Sequence, residues 1–222
     1  MAEVVGWDRA RWLWLAALVG GASYFVAVAQ HLDGPGIHLW KASGVALLAA
    51  WAAANARGRD GWLIAAVLAL GALGDWLLAA MGLIEGSIAF AGGHVIAIGL
   101  YLAHRRASLT VSQKVLSFVT VPLAVATAWA LTRGAAPGET GAAVGYTALV
   151  ALMAATAWSS RFPRYRTGLG AMLFLASDLF LFAGEGGALP RAVTALLVWP
   201  LYFAAQALIA HGVVRTLAAD RD

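Results

Sequence analysis

What this chain can fold into is limited most by eight apolar runs separated only by short polar connections. They fall at Trp12–Ala29, His38–Asn55, Trp62–Ala80, Ile88–Ala103, Val115–Leu131, Gly141–Ser159, Thr167–Ala183 and Pro190–His211. About 20 helical residues, rising roughly 1.5 Å each, cross the hydrocarbon core of a bilayer. Lipid offers the backbone no hydrogen-bond partner, and a helix satisfies its own N–H and C=O groups within one segment. The expected fold is therefore an all-α integral membrane protein, a bundle of eight transmembrane helices forming a single domain over residues 1–222. With 62% hydrophobic residues, 12% charged residues and a mean hydropathy of +0.79, no stretch is left to build a soluble domain. The absence of cysteine excludes disulfides and thiolate chemistry.

The excess of 15 Lys and Arg over 11 Asp and Glu does not mark a nucleic-acid surface, because the basic residues sit in short loops. Arg9, Arg11, Arg57, Arg59, Arg105, Arg106, Lys114, Arg161, Arg164, Arg166, Arg215 and Arg221 fall on one side of the predicted bundle; Arg133 and Arg191 fall on the other. By the positive-inside rule both termini are expected to be cytoplasmic. Lys41 and Lys114 are the only lysines, and that preference for arginine fits a GC-rich bacterial genome and a bacterial inner membrane. The first run ends at Ala27-Val28-Ala29, as a cleavable signal would, but it is longer than the roughly 7 to 15 residues of a signal h-region, so it is expected to stay as a helix. Gly134–Thr140 and Gly184–Pro190 supply turn residues between helices. Trp7, Trp12 and Trp14 read as an interfacial aromatic belt. Glu85, Glu139 and Glu185 read as solvated loop residues.

Two carboxylates interrupt the apolar background: Asp75 within Leu70–Leu78 (LGALGDWLL) and Asp178 within Ala171–Phe182 (AMLFLASDLFLF). A charge at that depth costs roughly 2.5 to 3.5 kcal/mol on insertion scales and is usually kept for a function. Counted from the outer end of each run, Asp75 and Asp178 lie about 8 Å deep, Lys41 about 5 Å and His94 about 9 Å. Tyr24, Tyr146 and Tyr202 come at comparable or slightly greater depth, with Gln206 one turn below Tyr202. Polar groups sharing a level in lipid are best satisfied by facing one another inside the bundle. Both aspartates follow a small residue, Gly74 or Ser177, on helices of the same direction four spans apart. That spacing allows a four-plus-four parallel repeat about an axis along the membrane normal.

Blander readings exist. Lys41 and Asp75 could form a structural ion pair that fixes helix register, and His94, Tyr202 and Gln206 could be interhelical hydrogen-bonding groups. A single ion pair does not require a second acid at the same level, which favours a site. A proton-coupled transporter would use the acids and His94 as a relay, yet the inner halves of the runs are nearly uniformly apolar, as suits a pocket open to one side. A metal-dependent hydrolase could draw on His31, His38, His94, Asp75 and Asp178. No histidine pair has helical ligand spacing, so no metal is expected.

Lys41, Gly74-Asp75, Phe90 with Gly93-His94, Gly170–Asp178 (GAMLFLASD) and Tyr202–Ile209 (YFAAQALI), in that order across most of the chain, resemble the YhhN-like lysoplasmalogenases. Two positions depart from the family pattern: Ala42 stands where a proline follows the lysine, and the first tyrosine after His94 is Tyr101. The resemblance implies hydrolysis of the vinyl ether of a 1-alkenyl-lysophospholipid to a fatty aldehyde and a glycerophospho-head-group product. It implies a lysophospholipid substrate drawn from the membrane lipids, with no cofactor and no nucleic acid. Vinyl ether hydrolysis needs a proton donor at the alkene carbon and a group that tolerates the resulting cation, as paired carboxylates supply in glycosidases. Asp75 and Asp178 are the expected catalytic pair, either of them serving as the acid. Lys41 would hold a carboxylate ionised or bind the lipid phosphate. His94, Tyr24, Tyr146, Tyr202 and Gln206 would support the pair.

Overall fold

The computed structural model describes the backbone of residues 4–220 and the side chains from Ala10 onward, Pro137 excepted. Trp7, Arg9 and Arg221 lie outside the described side chains. Eight helices follow in order: α1 (Val4–Ala29), α2 (Pro35–Ala54), α3 (Arg59–Ala80), α4 (Leu83–Ala103), α5 (Val111–Thr132), α6 (Pro137–Ser159), α7 (Leu169–Glu185) and α8 (Arg191–Ala219). All eight are long and apolar enough to cross a membrane, α7 together with the π-helical turn Arg164–Gly168 that precedes it.

The element boundaries follow local chemistry. Thr110 accepts from the Gln113 backbone N–H while the Gln113 side chain accepts from the Thr110 N–H, a capping box that starts α5. Proline opens α2 and α6, where its missing N–H costs nothing. Pro122 and Pro200 lie inside α5 and α8 without ending them. The fourth helix begins at Leu83 and not at Ile88. Met81 and Gly82 alone join α3 to α4, a turn that needs the positive φ of 126° at Gly82. Glu85 then falls in the first helical turn, where the helix dipole favours a carboxylate, so it is a half-buried helix residue and not a loop residue. Glu139, likewise in the first turn of α6, and Glu185, at the end of α7, are exposed.

Helix α3 packs between α2 and α4, α5 against α6, and α7 against α8. Helix α8 also reaches α1, α2 and α3, which makes it the inner post of the bundle. The aspartate helices α3 and α7 are not direct neighbours among the described elements; α8 lies against both. Close contacts set these distances. A Cβ on Gly74 would stand 2.9 Å from the Phe90 ring, so only glycine lets α4 press Phe90 onto α3 beside Asp75. Trp199 Nε1 donates to the Gly21 carbonyl at 2.8 Å and ties α8 to α1.

The bundle's outer surface carries Trp12, Val111 and Phe118, all widely exposed as lipid-facing residues should be. Trp14 does not join Trp12 in a belt. Its ring packs inward on Trp51 and His211 at 4.7 and 5.3 Å. At the end of the bundle that carries the termini, Asp60, His104, Arg161 and Asp220 form one chain. Arg161 Nε donates to His104 Nδ1 at 2.8 Å, so His104 Nε2 carries the proton donated to Asp60 Oδ2 at 2.7 Å. Arg161 also forks onto Asp220, whose carboxylate raises the arginine's pKa.

Candidate active site

The gap between α3 and α7 is a chamber. Lys41 from α2, Asp75 from α3, Tyr146 from α6, Asp178 from α7 and Tyr202 from α8 all line it. Asp75 and Asp178 are 1% and 8% exposed. Leu78, Leu83, Leu181, Phe182 and Val198 make the rest of the wall apolar, with Ser87 and Ser177 as the only hydroxyl groups besides the tyrosines. A mostly apolar wall with few converging polar groups is what small-ligand sites look like.

The two acids sit in different surroundings. Tyr202 donates its hydroxyl to Asp75 Oδ2 at 2.8 Å, and Gln206 Nε2 donates to the same hydroxyl at 3.2 Å. Gln206 is four residues beyond Tyr202, one turn along the same face of α8, and Gly71 gives its amide room: a Cβ there would lie 2.7 Å from Nε2. Lys41 faces the same chamber, and none of the four ion pairs among the described residues involves it. A tight Lys41–Asp75 structural pair is thus not formed. Asp178 Oδ2, by contrast, is buried with no hydrogen-bond partner. Ser177 beside it donates to the Val198 carbonyl at 3.0 Å, fixing α7 against α8 and turning Asp178 toward the chamber.

His94 does not share the level of the acids. With α4 beginning at Leu83, it lies about 16 Å from that end of its helix, against about 9 Å when counted from Ile88. It lines a second, deeper cavity, and reaches the first only through Tyr146, whose hydroxyl is 3.4 Å from Nε2. Gln206 lines the deeper cavity too. The single one-sided pocket expected from the apolar inner halves is therefore two cavities, one below the other. Tyr24 lines neither; its ring meets Trp199 edge-on at 4.5 Å and supports the chamber wall from behind. Ser87 went unnoticed in the sequence, although it lies on the Phe90 and His94 face of α4, three and seven residues earlier. Among the described residues, no three His, Asp or Glu side chains gather as a metal-holding group.

Two buried carboxylates in unlike surroundings, a lone lysine and tyrosine donors around a lipid-deep chamber define a class: a membrane-embedded bundle with a polar site suited to proton transfer on an apolar ligand. The chain belongs to the YhhN family, whose sequence profile matches residues 36–213. It is 33% identical over 223 aligned residues to the lysoplasmalogenase of Mycobacterium bovis (strain ATCC BAA-935 / AF2122/97), covering 93% of this chain and 83% of that protein. The lysoplasmalogenase of Mycobacterium tuberculosis (strain CDC 1551 / Oshkosh) gives the same identity and coverage. No solved structure matches significantly.

Proposed function

We propose that this protein is a lysoplasmalogenase. It hydrolyses the vinyl ether of a 1-alkenyl-lysophospholipid to a fatty aldehyde and a glycerophospho-head-group product, with Asp75 and Asp178 as the working pair. The observation that carries this reading is that two aspartates from helices that do not touch line one chamber, Asp75 with a tyrosine donor on Oδ2 and Asp178 with a buried Oδ2 that has no partner. Relatives named lysoplasmalogenase support the substrate class.

The unlike surroundings divide the labour. Tyr202 and the nearby Lys41 ammonium stabilise a carboxylate on Asp75. Asp178 has no donor at Oδ2 to stabilise a charge, which suits a neutral carboxylic acid held beside the alkene. Asp178 gives its proton to the alkene carbon remote from oxygen; the π pair forms the new C–H bond and the ether oxygen shares the positive charge with the adjacent carbon. Anionic Asp75 stabilises that oxocarbenium ion. Water adds to the charged carbon and passes one proton to Asp75, leaving a hemiacetal. Asp75 then returns its proton to the glycerol oxygen as the C–O bond breaks, while the hemiacetal hydroxyl gives its proton to Asp178. One water is consumed and both acids regain their starting states. Tyr146 and Tyr202 position the acids, Lys41 lines the chamber as a cation for the lipid phosphate, and the apolar wall takes the alkenyl chain.

The proposal extends to placement. The basic loops support termini in the cytoplasm of a bacterium, with the chamber nearer the outer face of the inner membrane. The shared role of α3 and α7 fits the four-plus-four relation. The test is incubation of the purified protein with alkenyl and acyl lysophospholipids of equal chain length. Aldehyde from the first and no fatty acid from the second is the expected result; fatty acid release would mean a different hydrolase.

A further inference from the structure

The deeper cavity has no part in the scheme above. Its wall is apolar except for three side chains: His94, Gln206 and Tyr101. Tyr101 is 1% exposed and its hydroxyl has no hydrogen-bond partner among the described residues. A buried, unpaired hydroxyl costs about 1 to 3 kcal/mol, and ordered water is the usual remedy. The other two polar groups each lead upward to one acid. Gln206 donates to Tyr202, which donates to Asp75. His94 meets Tyr146, which stands beside Asp178.

Between the cavities three rings close on one another: Phe90 to Phe174 at 6.0 Å, Phe90 to Tyr202 at 5.7 Å and Phe174 to Tyr202 at 5.2 Å, each near perpendicular. Phe90 lines both spaces. Toward the termini, Tyr101 packs on Phe162, and Phe162 on His104. A hydrocarbon chain entering from the upper chamber would have to thread the ring cluster and end against three polar groups. A water molecule needs only a brief ring displacement and finds those groups as partners.

We propose that this deeper cavity is a water-binding chamber, walled by His94, Gln206 and Tyr101, which supplies the hydrolytic water to the acids from below the substrate. The proposal rests on the hydrolase reading for its purpose, though not for the presence of water. In each turnover one water leaves the chamber past Phe90 and Tyr202, its oxygen bonds to the oxocarbenium carbon, and one of its protons passes to Asp75. Substrate filling the upper chamber from the lipid side then does not shut off the second reactant.

Hydroxyl-radical footprinting by millisecond X-ray radiolysis tests this on the intact protein. Met153 lines the deeper cavity and is 2% exposed, whereas Met81, in the α3–α4 turn, is 61% exposed and serves as the reference. Bound water makes its own radicals on the spot, so Met153 is expected to oxidise within about tenfold of the Met81 rate. A rate slower by a hundredfold or more means a dry cavity and overturns the proposal. Ala97→Leu, which fills the same cavity, should slow Met153 oxidation and lower kcat several-fold, equally for short and long alkenyl chains. A loss confined to long chains would make the cavity an alkyl pocket and also overturn it. Should Ala97→Leu not fold, the wild-type footprint decides alone. A hydrated Met153 in a protein that releases no aldehyde would leave the water site standing and sink the hydrolase reading instead.

Discussion

Tyr202→Phe removes one oxygen atom and very little else. The ring that packs on Phe90, Phe174 and Trp199 at 5.7, 5.2 and 5.6 Å stays in place, so the bundle should fold as before. What disappears is the hydroxyl that donates to Asp75 Oδ2 and accepts from Gln206 Nε2. A hydrogen bond to a charged group contributes about 1.5 to 3 kcal/mol. In the proposed mechanism Asp75 must be an anion when the oxocarbenium ion forms, so that energy is lost in the transition state and kcat should fall roughly 10- to 150-fold. KM should change little, because the hydroxyl is directed at the carboxylate and not at the lipid. The assay is aldehyde release by purified protein, coupled to a reductase, with thermal unfolding in detergent as the control for folding. A Tyr202→Phe protein with wild-type kcat and an unchanged melting temperature would refute the assignment of Asp75 as the supported anion. Gln206→Leu removes only the donor behind Tyr202 and should cost less, a few-fold.

Other perturbations separate the remaining parts. Lys41→Met removes both the cation facing the lipid phosphate and one that stabilises anionic Asp75, so it should raise KM for the lysophospholipid and lower kcat together; an unchanged KM would remove the phosphate role. Gly74→Val places methyl groups against the Phe90 ring, where even a Cβ stands only 2.9 Å away, and should lower stability by roughly 1 to 3 kcal/mol through overpacking, read as a drop in melting temperature together with activity. Arg161→Ala breaks a chain whose Arg161 and Asp220 side chains are 36% and 39% exposed; it should cost no more than about 1 kcal/mol, measured by unfolding at low and high salt. Activity should be unaffected, since that cluster lies at the far end of the bundle from the aspartates.

The eight spans were legible because lipid leaves the backbone one solution, and an apolar run of the right length declares it. Asp75 and Asp178 could be placed in one chamber from depth alone, since both helix ends near them were read to within a few residues. His94 shows the limit of that method. The segment Leu83–Ser87 contains Glu85 and Gly86, which look like a loop by composition, so the sequence pattern starts α4 about one turn and a half too late and makes His94 too shallow. Trp14 reads as a belt residue because an indole suits an interface and a packed core alike; its contacts with Trp51 and His211 depend on helix rotation, which a nearly uniform apolar run does not record. The deeper cavity was invisible for a related reason. It is made by what glycine and alanine at positions 71, 93 and 97 leave unfilled between α3, α4 and α8, and a sequence does not show space.

The most direct test of the central claim is turnover of a 1-alkenyl-lysophospholipid in D₂O, with the aldehyde trapped at once as its alcohol and analysed by mass spectrometry. Wild-type protein should give product with one deuterium on the carbon next to the former aldehyde, while folded Asp75→Asn and Asp178→Asn proteins should give no product above the blank. Product without that deuterium, or either variant turning over at more than a small fraction of the wild-type rate, would contradict the account.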